Sequence, residues 1–134
     1  HGNTEKAAKK FVEILKQKGA KKVAITDLAR DDMAEAVEDA FKYDKVVVAS
    51  STYNMGIFPP MEHFLLHLKG KNYQNRKVGI IENGSWAPSS GKLIKNMFEQ
   101  MKDISICETI VTIKSAMKNE NIAEMEKLAE ELLK

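Results

Sequence analysis

Apolar positions in this chain follow two alternating rhythms: spacings of three and four residues, as on one face of a helix, and short continuous runs, as in buried strands. Ala8, Phe11, Val12 and Leu15 keep the helical spacing opposite a row of lysines, and Gly19 supplies a stop. Residues 22–28 read as a strand. Asp31 or Asp32 then caps a second helix with Met33, Val37, Ala40 and Phe41 inward. The run Val46-Val47-Val48 marks a strand over 45–49 that is buried on both faces. A third helix carries Met61, Phe64, Leu65 and Leu68 and stops near Gly70. Residues 77–81 read as a strand, and Ser89 or Ser90 caps a helix with Leu93, Ile94, Met97, Phe98 and Met101. A last strand over 104–113 is expected to break at Glu108-Thr109, before a closing helix over 119–133 that buries Ile122, Met125, Leu128, Ala129 and Leu132.

Helices and strands alternate strictly, which predicts an α/β domain with a doubly wound parallel sheet in the order 2-1-3-4-5, flanked by helices. A chain that opens on a helix lacks the strand that should feed it, and in this order that strand is central. The expectation is one domain over residues 1–134, incomplete at its amino end, with the strands at Val23 and Val46 about 10 Å apart.

Composition narrows the classes. With 43% hydrophobic and 30% charged residues among 134, one core is expected, and no run reaches membrane-spanning length. A net charge of +2, with lysines interleaved among glutamates, argues against a nucleic-acid partner. The single cysteine, Cys107, excludes an internal disulfide, fits a cytoplasmic location, and in its apolar strand reads as an inert core thiol. His63 and His67 are four residues apart on one helix, yet no third ligand stands near, so no metal is expected.

Three polar segments fall at one edge of such a sheet. Gly2, Asn3 and Thr4, after His1, sit at a helix amino end, where unpaired amides and the helix dipole suit either a phosphate or an ordinary cap. Ser50, Ser51, Thr52, Tyr53, Asn54 and Gly56 follow the central strand with hydroxyls, an amide and a ring, but no strong base. Asn83, Gly84, Ser85 and Trp86 follow the next strand, and the lone tryptophan offers a stacking face. No histidine or carboxylate is placed to activate a hydroxyl, so a cradle for a ring-bearing, phosphate-bearing ligand fits better than nucleophilic catalysis.

These segments carry a resemblance. His1-Gly2-Asn3-Thr4-Glu5-Lys6, then Ser51-Thr52-Tyr53-Asn54 with Gly56, Phe58, Pro59 and Pro60, and Asn83-Gly84-Ser85-Trp86 together resemble the flavodoxin family, and more closely the flavodoxin-like domain of flavodiiron proteins. The resemblance implies non-covalent FMN, with His1, Gly2, Asn3 and Thr4 at its phosphate. It places Ser51, Thr52, Tyr53, Asn54 and Gly56 along the ribityl chain and ring, and Asn83, Gly84, Ser85 and Trp86 at the other wall. It further implies one-electron transfer, a redox partner such as a rubredoxin-like donor or a di-iron domain, and a homodimer. Ser51 stands where that family often has proline, and Trp86 where many relatives have tyrosine. No H-x-E-x-D-H run occurs, so di-iron chemistry would belong to another domain. A quinone reductase using a nicotinamide cofactor shares the fold. A receiver domain shares the topology but needs an aspartate where this chain has Ala49-Ser50-Ser51.

Overall fold

The computed structural model describes residues 2–53, 56–84, 89–114 and 116–134. Among them are α1 (Gly2–Gln17), α2 (Met33–Lys42), β1 (Lys45–Tyr53), β2 (Gly56–Ile57), α3 (Pro59–Gly70), β3 (Arg76–Asn83), α4 (Ser90–Glu99), β4 (Ile104–Ile113) and α5 (Asn119–Leu133). The sheet has the order β2-β1-β3-β4. β1, β3 and β4 are parallel, and β2 turns back antiparallel onto the tip of β1, so the sheet is mixed.

Period-two alternation sorts the strand residues between two cores. Val46, Val48, Val78 and Ile80 face α2, α3 and α4. Val47, Ala49, Ile81, Val111 and Ile113 face α1 and α5. Both sheet faces are therefore covered, as a doubly wound fold requires. On α1 the buried stripe is Ala7, Phe11, Ile14 and Leu15, turned from the expected one, because the helix packs against the sheet and α5 together. The helix stops where anticipated. Gly19 adopts φ +103°, a conformation costly for other residues, and the Ala20 N–H reaches back to the Leu15 carbonyl at 2.9 Å.

Residues 22–28 do not form the expected strand. Residues 20–27 run without regular structure, with Val23 against one core and Leu28 against the other. A strand needs a neighbour to take its amides and carbonyls. Among the described residues β1 pairs only with β3 and, at its tip, with β2.

β4 breaks at the anticipated place. Its pairing with β3 shifts between Val78 and Ile80, which face Ile106 and Ile110. The Thr109 amide in this bulge donates to Glu131 Oε1 on α5 at 2.9 Å, and the Thr109 hydroxyl donates to Glu131 Oε2. Desolvation alone would raise the Glu131 pKa, but the Thr109 bonds, with help from Lys127, outweigh it and leave the carboxyl below its ordinary 4.5. A carboxyl depressed in the folded state contributes stability above its unfolded pKa and loses it as pH falls. Glu131→Gln is therefore expected to cost about 1 kcal/mol near neutrality and much less in acid, as urea unfolding across that range would show. A cost independent of pH would remove the ionised carboxylate from this account.

At the opposite end of the strands, Arg76 ties α2 to β3 by donating to the carbonyls of Phe41 (2.8 Å), Tyr43 (2.8 Å) and Gln74 (2.6 Å). Its guanidinium lies over the ring of Tyr73, which packs T-shaped with Phe41 at a centroid distance of 5.1 Å. Burial pushes the Tyr73 hydroxyl up to about 12, with Arg76 opposing and Asp44 adding to the rise. Among the described residues no helix is long and apolar enough to cross a membrane.

Candidate functional site

The carboxyl ends of β1 and β3 and the amino ends of α1 and α4 meet at one edge of the sheet. This follows from the winding, since each helix begins at that edge and packs back along the sheet. Gly2, Asn3 and Thr4 form the first turn of α1, so their amides belong to the set that a helix leaves unpaired. Glu5 in the same turn pairs with Lys9 at 3.1 Å. The Asn83 amide at the end of β3 donates to the Thr4 hydroxyl at 3.3 Å, joining the first and third predicted segments. Ser51 lies beside Asn83 in the parallel ladder.

The second segment is less loop than expected. β1 continues through Ser50, Ser51 and Thr52 to Tyr53, and Gly56 pairs with Tyr53 in a short hairpin. Ser50 is buried, its hydroxyl donating to the Ser51 carbonyl at 3.2 Å. Thr52 serves the protein itself. Its Oγ accepts from the Ser89 and Ser90 amides at 3.2 and 3.4 Å, and its hydroxyl donates to Ser90 Oγ at 3.2 Å. Ser89 is the N-cap of α4, yet no serine side chain caps the helix as anticipated; the cap arrives from β1.

A second carboxylate-bearing contact was not legible in the sequence. Glu82, one residue past the strand expected over 77–81, is the penultimate residue of β3 and only 8% exposed. Its Oε1 accepts from the Gly91 amide at 2.9 Å and its Oε2 from the Thr112 hydroxyl at 2.7 Å. Gly91 lacks a side chain because one would collide: a Cβ there would lie 2.8 Å from Glu82 Cδ. The only sequence signal was a lone carboxylate closing the apolar run Val78-Gly79-Ile80-Ile81, and a buried charge requires partners.

Of the expected site residues, Gly2, Asn3, Thr4, Ser51, Thr52, Gly56, Asn83 and Gly84 share this edge, as does the backbone of Tyr53. Gly84 continues the ladder, its amide donating to the Ile113 carbonyl at 3.0 Å. His1, Asn54, Ser85 and Trp86 lie outside the described residues. His63 and His67 are exposed, and no metal-holding cluster of histidine, cysteine, aspartate and glutamate occurs among the described residues. Cys107 is buried in β4, its thiol pKa raised first by burial and then by Glu131.

The comparisons agree with the fold. An uncharacterized protein of Methanocaldococcus jannaschii is 25% identical over 135 residues, which span all of this chain and 34% of that protein. The rubredoxin oxygen:oxidoreductase of Desulfovibrio gigas superposes with a TM-score of 0.90 at 22% identity, over 97% of this chain and 32% of that one. A flavodoxin from the domain Archaea gives 0.81 at 18% identity, covering 96% and 86%. A flavo di-iron protein mutant from Thermotoga maritima gives 0.79 at 26% identity, covering 99% and 33%. The chain thus spans about a third of several proteins it resembles. The family model described as Flavodoxin matches residues 1–126, and the chain belongs to the flavodoxin family.

Proposed function

We propose that this chain is an FMN-binding electron-transfer domain, akin to the flavodoxin-like domain of flavodiiron proteins. The observation that carries the reading is the bond between Asn83 and Thr4, which draws the first turn of α1 and the end of β3 into one donor-rich edge. The donor set suits the cofactor. First-turn amides of Gly2, Asn3 and Thr4, with the Thr4 hydroxyl, suit a phosphate dianion, and the dipole of α1 adds to the attraction. Asn83 orients the Thr4 hydroxyl and so positions that cradle. The Tyr53–Gly56 hairpin and the residues after Gly84 would form the walls against the ring, which supplies electron transfer when bound. Thr52 supports those walls by holding the start of α4, and it makes no demand on the ligand.

Membership of a larger flavodiiron-type enzyme, with a di-iron domain, a rubredoxin-like donor, a homodimeric assembly and a cytoplasmic location, is part of the same proposal. The lengths of the Desulfovibrio and Thermotoga proteins support it, since each matches this chain over about a third of itself. Fluorescence titration of the protein with FMN tests the core reading. Stoichiometric quenching is expected, and Thr4→Ala should weaken binding about tenfold, the worth of one hydrogen bond to a charged group. Absence of quenching at excess FMN overturns the reading.

A further inference from the structure

We infer that His63 and His67 on α3 form a two-imidazole site for a borderline divalent cation of the copper, nickel or zinc type. The inference is independent of the FMN reading and concerns a helix face that the proposed cofactor edge does not use.

The two histidines are four residues apart within α3, so their Cβ atoms stand about 5–6 Å apart on one face. That spacing lets two imidazoles converge on one ion, with metal–nitrogen bonds of about 2.0–2.1 Å, as in helical zinc motifs. Burial fixes which face this is. Met61, Phe64, Leu65 and Leu68 turn into the core, while His63, Leu66 and His67 are exposed on the opposite side. Among the described residues neither imidazole enters a hydrogen bond or an ion pair, so the fold leaves their ring nitrogens available.

The helix also holds the pair in place. Pro59 and Pro60 open α3, and the Lys71 amide closes it by donating to the carbonyls of His67 (3.1 Å) and Leu68 (3.2 Å). With the inner face packed and both ends fixed, the ordering cost of binding is confined to two short side chains. Lys69, in the last turn, is drawn toward α4, where its Nζ donates to Gln100 at 2.5 Å. Glu62, exposed beside His63, adds a negative charge that favours a cation. Among the described residues no third histidine, cysteine, aspartate or glutamate joins the pair, so water completes the shell. Imidazole nitrogen suits Cu2+, Ni2+ and Zn2+, with Cu2+ held tightest, whereas Mg2+ and Ca2+ take oxygen ligands. His67 stands about 12 Å along the helix axis from Pro59, the end of α3 that adjoins the Tyr53–Gly56 hairpin. The cation site is therefore separate from the proposed cofactor edge.

Histidine imidazole NMR signals of the full chain, followed during titration with Cu2+ and separately with Mg2+, test this. Each histidine is read on its own, so binding at His1 does not enter the result. In the wild type the His63 and His67 signals are expected to broaden together at the same Cu2+ concentration, and neither should respond to Mg2+. His63→Gln should raise the Cu2+ concentration needed to broaden the His67 signal by about a hundredfold, the gain lost when two linked ligands become one, and His67→Gln should do the same to His63. Both positions are exposed and glutamine suits a helix, so neither variant disturbs the fold. A His67 signal that still broadens at the wild-type concentration in His63→Gln overturns the inference, as does an equal response to Mg2+. One Cu2+ bound per two chains overturns it too, since a single helix would then not suffice.

Discussion

Phe98→Ala is expected to cost about 3–5 kcal/mol, a large share of the stability of a domain this size. Phe98 is fully buried on α4, within the core formed with Val48, Phe64, Leu65, Leu68, Val78 and Ile80. That core joins three helices to one sheet face, so the ring has no neighbour free to collapse into the space it would vacate. The transfer and cavity penalties then add. Urea unfolding followed by circular dichroism should show a lower midpoint with an unchanged slope. A loss below about 1 kcal/mol would mean that α4 packs on the sheet less closely than described here. Because α4 also receives the contacts from Thr52 and Glu82, the variant should loosen the carboxyl-end sheet edge well before the fold itself is lost.

Gly91→Ala is expected to cost about 2 kcal/mol, although alanine favours a helix by up to about 1 kcal/mol. The penalty is not the overlap as such. A new Cβ would lie 2.8 Å from Glu82 Cδ, and a carboxylate at the end of a side chain moves easily. What the movement breaks is the cost: the Gly91 amide and the Thr112 hydroxyl each lose a charged acceptor in a buried place. Thermal unfolding would register the loss, and amide exchange at Ser90 and at position 91 should speed up locally. An alanine variant as stable as the wild type would show that the Glu82 latch contributes nothing to the fold.

Helix positions were legible because their signals are local. The Met61, Phe64, Leu65 and Leu68 stripe, the stop at Gly19 and the start of α5 at Asn119 each follow from spacing or backbone preference within a few residues. The break in β4 was legible too, from Glu108-Thr109 in an apolar run, and the Val78–Ile80 register shift spans that place. Residues 22–28 failed for the converse reason. Their composition favours a strand, but strand formation depends on a partner that composition does not specify, and no ladder neighbour is present among the described residues.

The site divides along the same line. By itself the sequence determined which strand ends turn polar and that those ends lie at one edge of the sheet, because order and periodicity are properties of the chain. Only the tertiary structure decided what those polar groups do. Thr52, expected to face a ligand, caps α4; Ser89 and Ser90, expected to cap it, receive that cap; and Glu82, one residue past the expected strand, is buried as the link among β3, β4 and α4. A hydroxyl or carboxylate bonds whatever donor folding brings within about 3 Å. Residues 38 apart in sequence, such as Thr52 and Ser90, become neighbours only when the sheet is assembled.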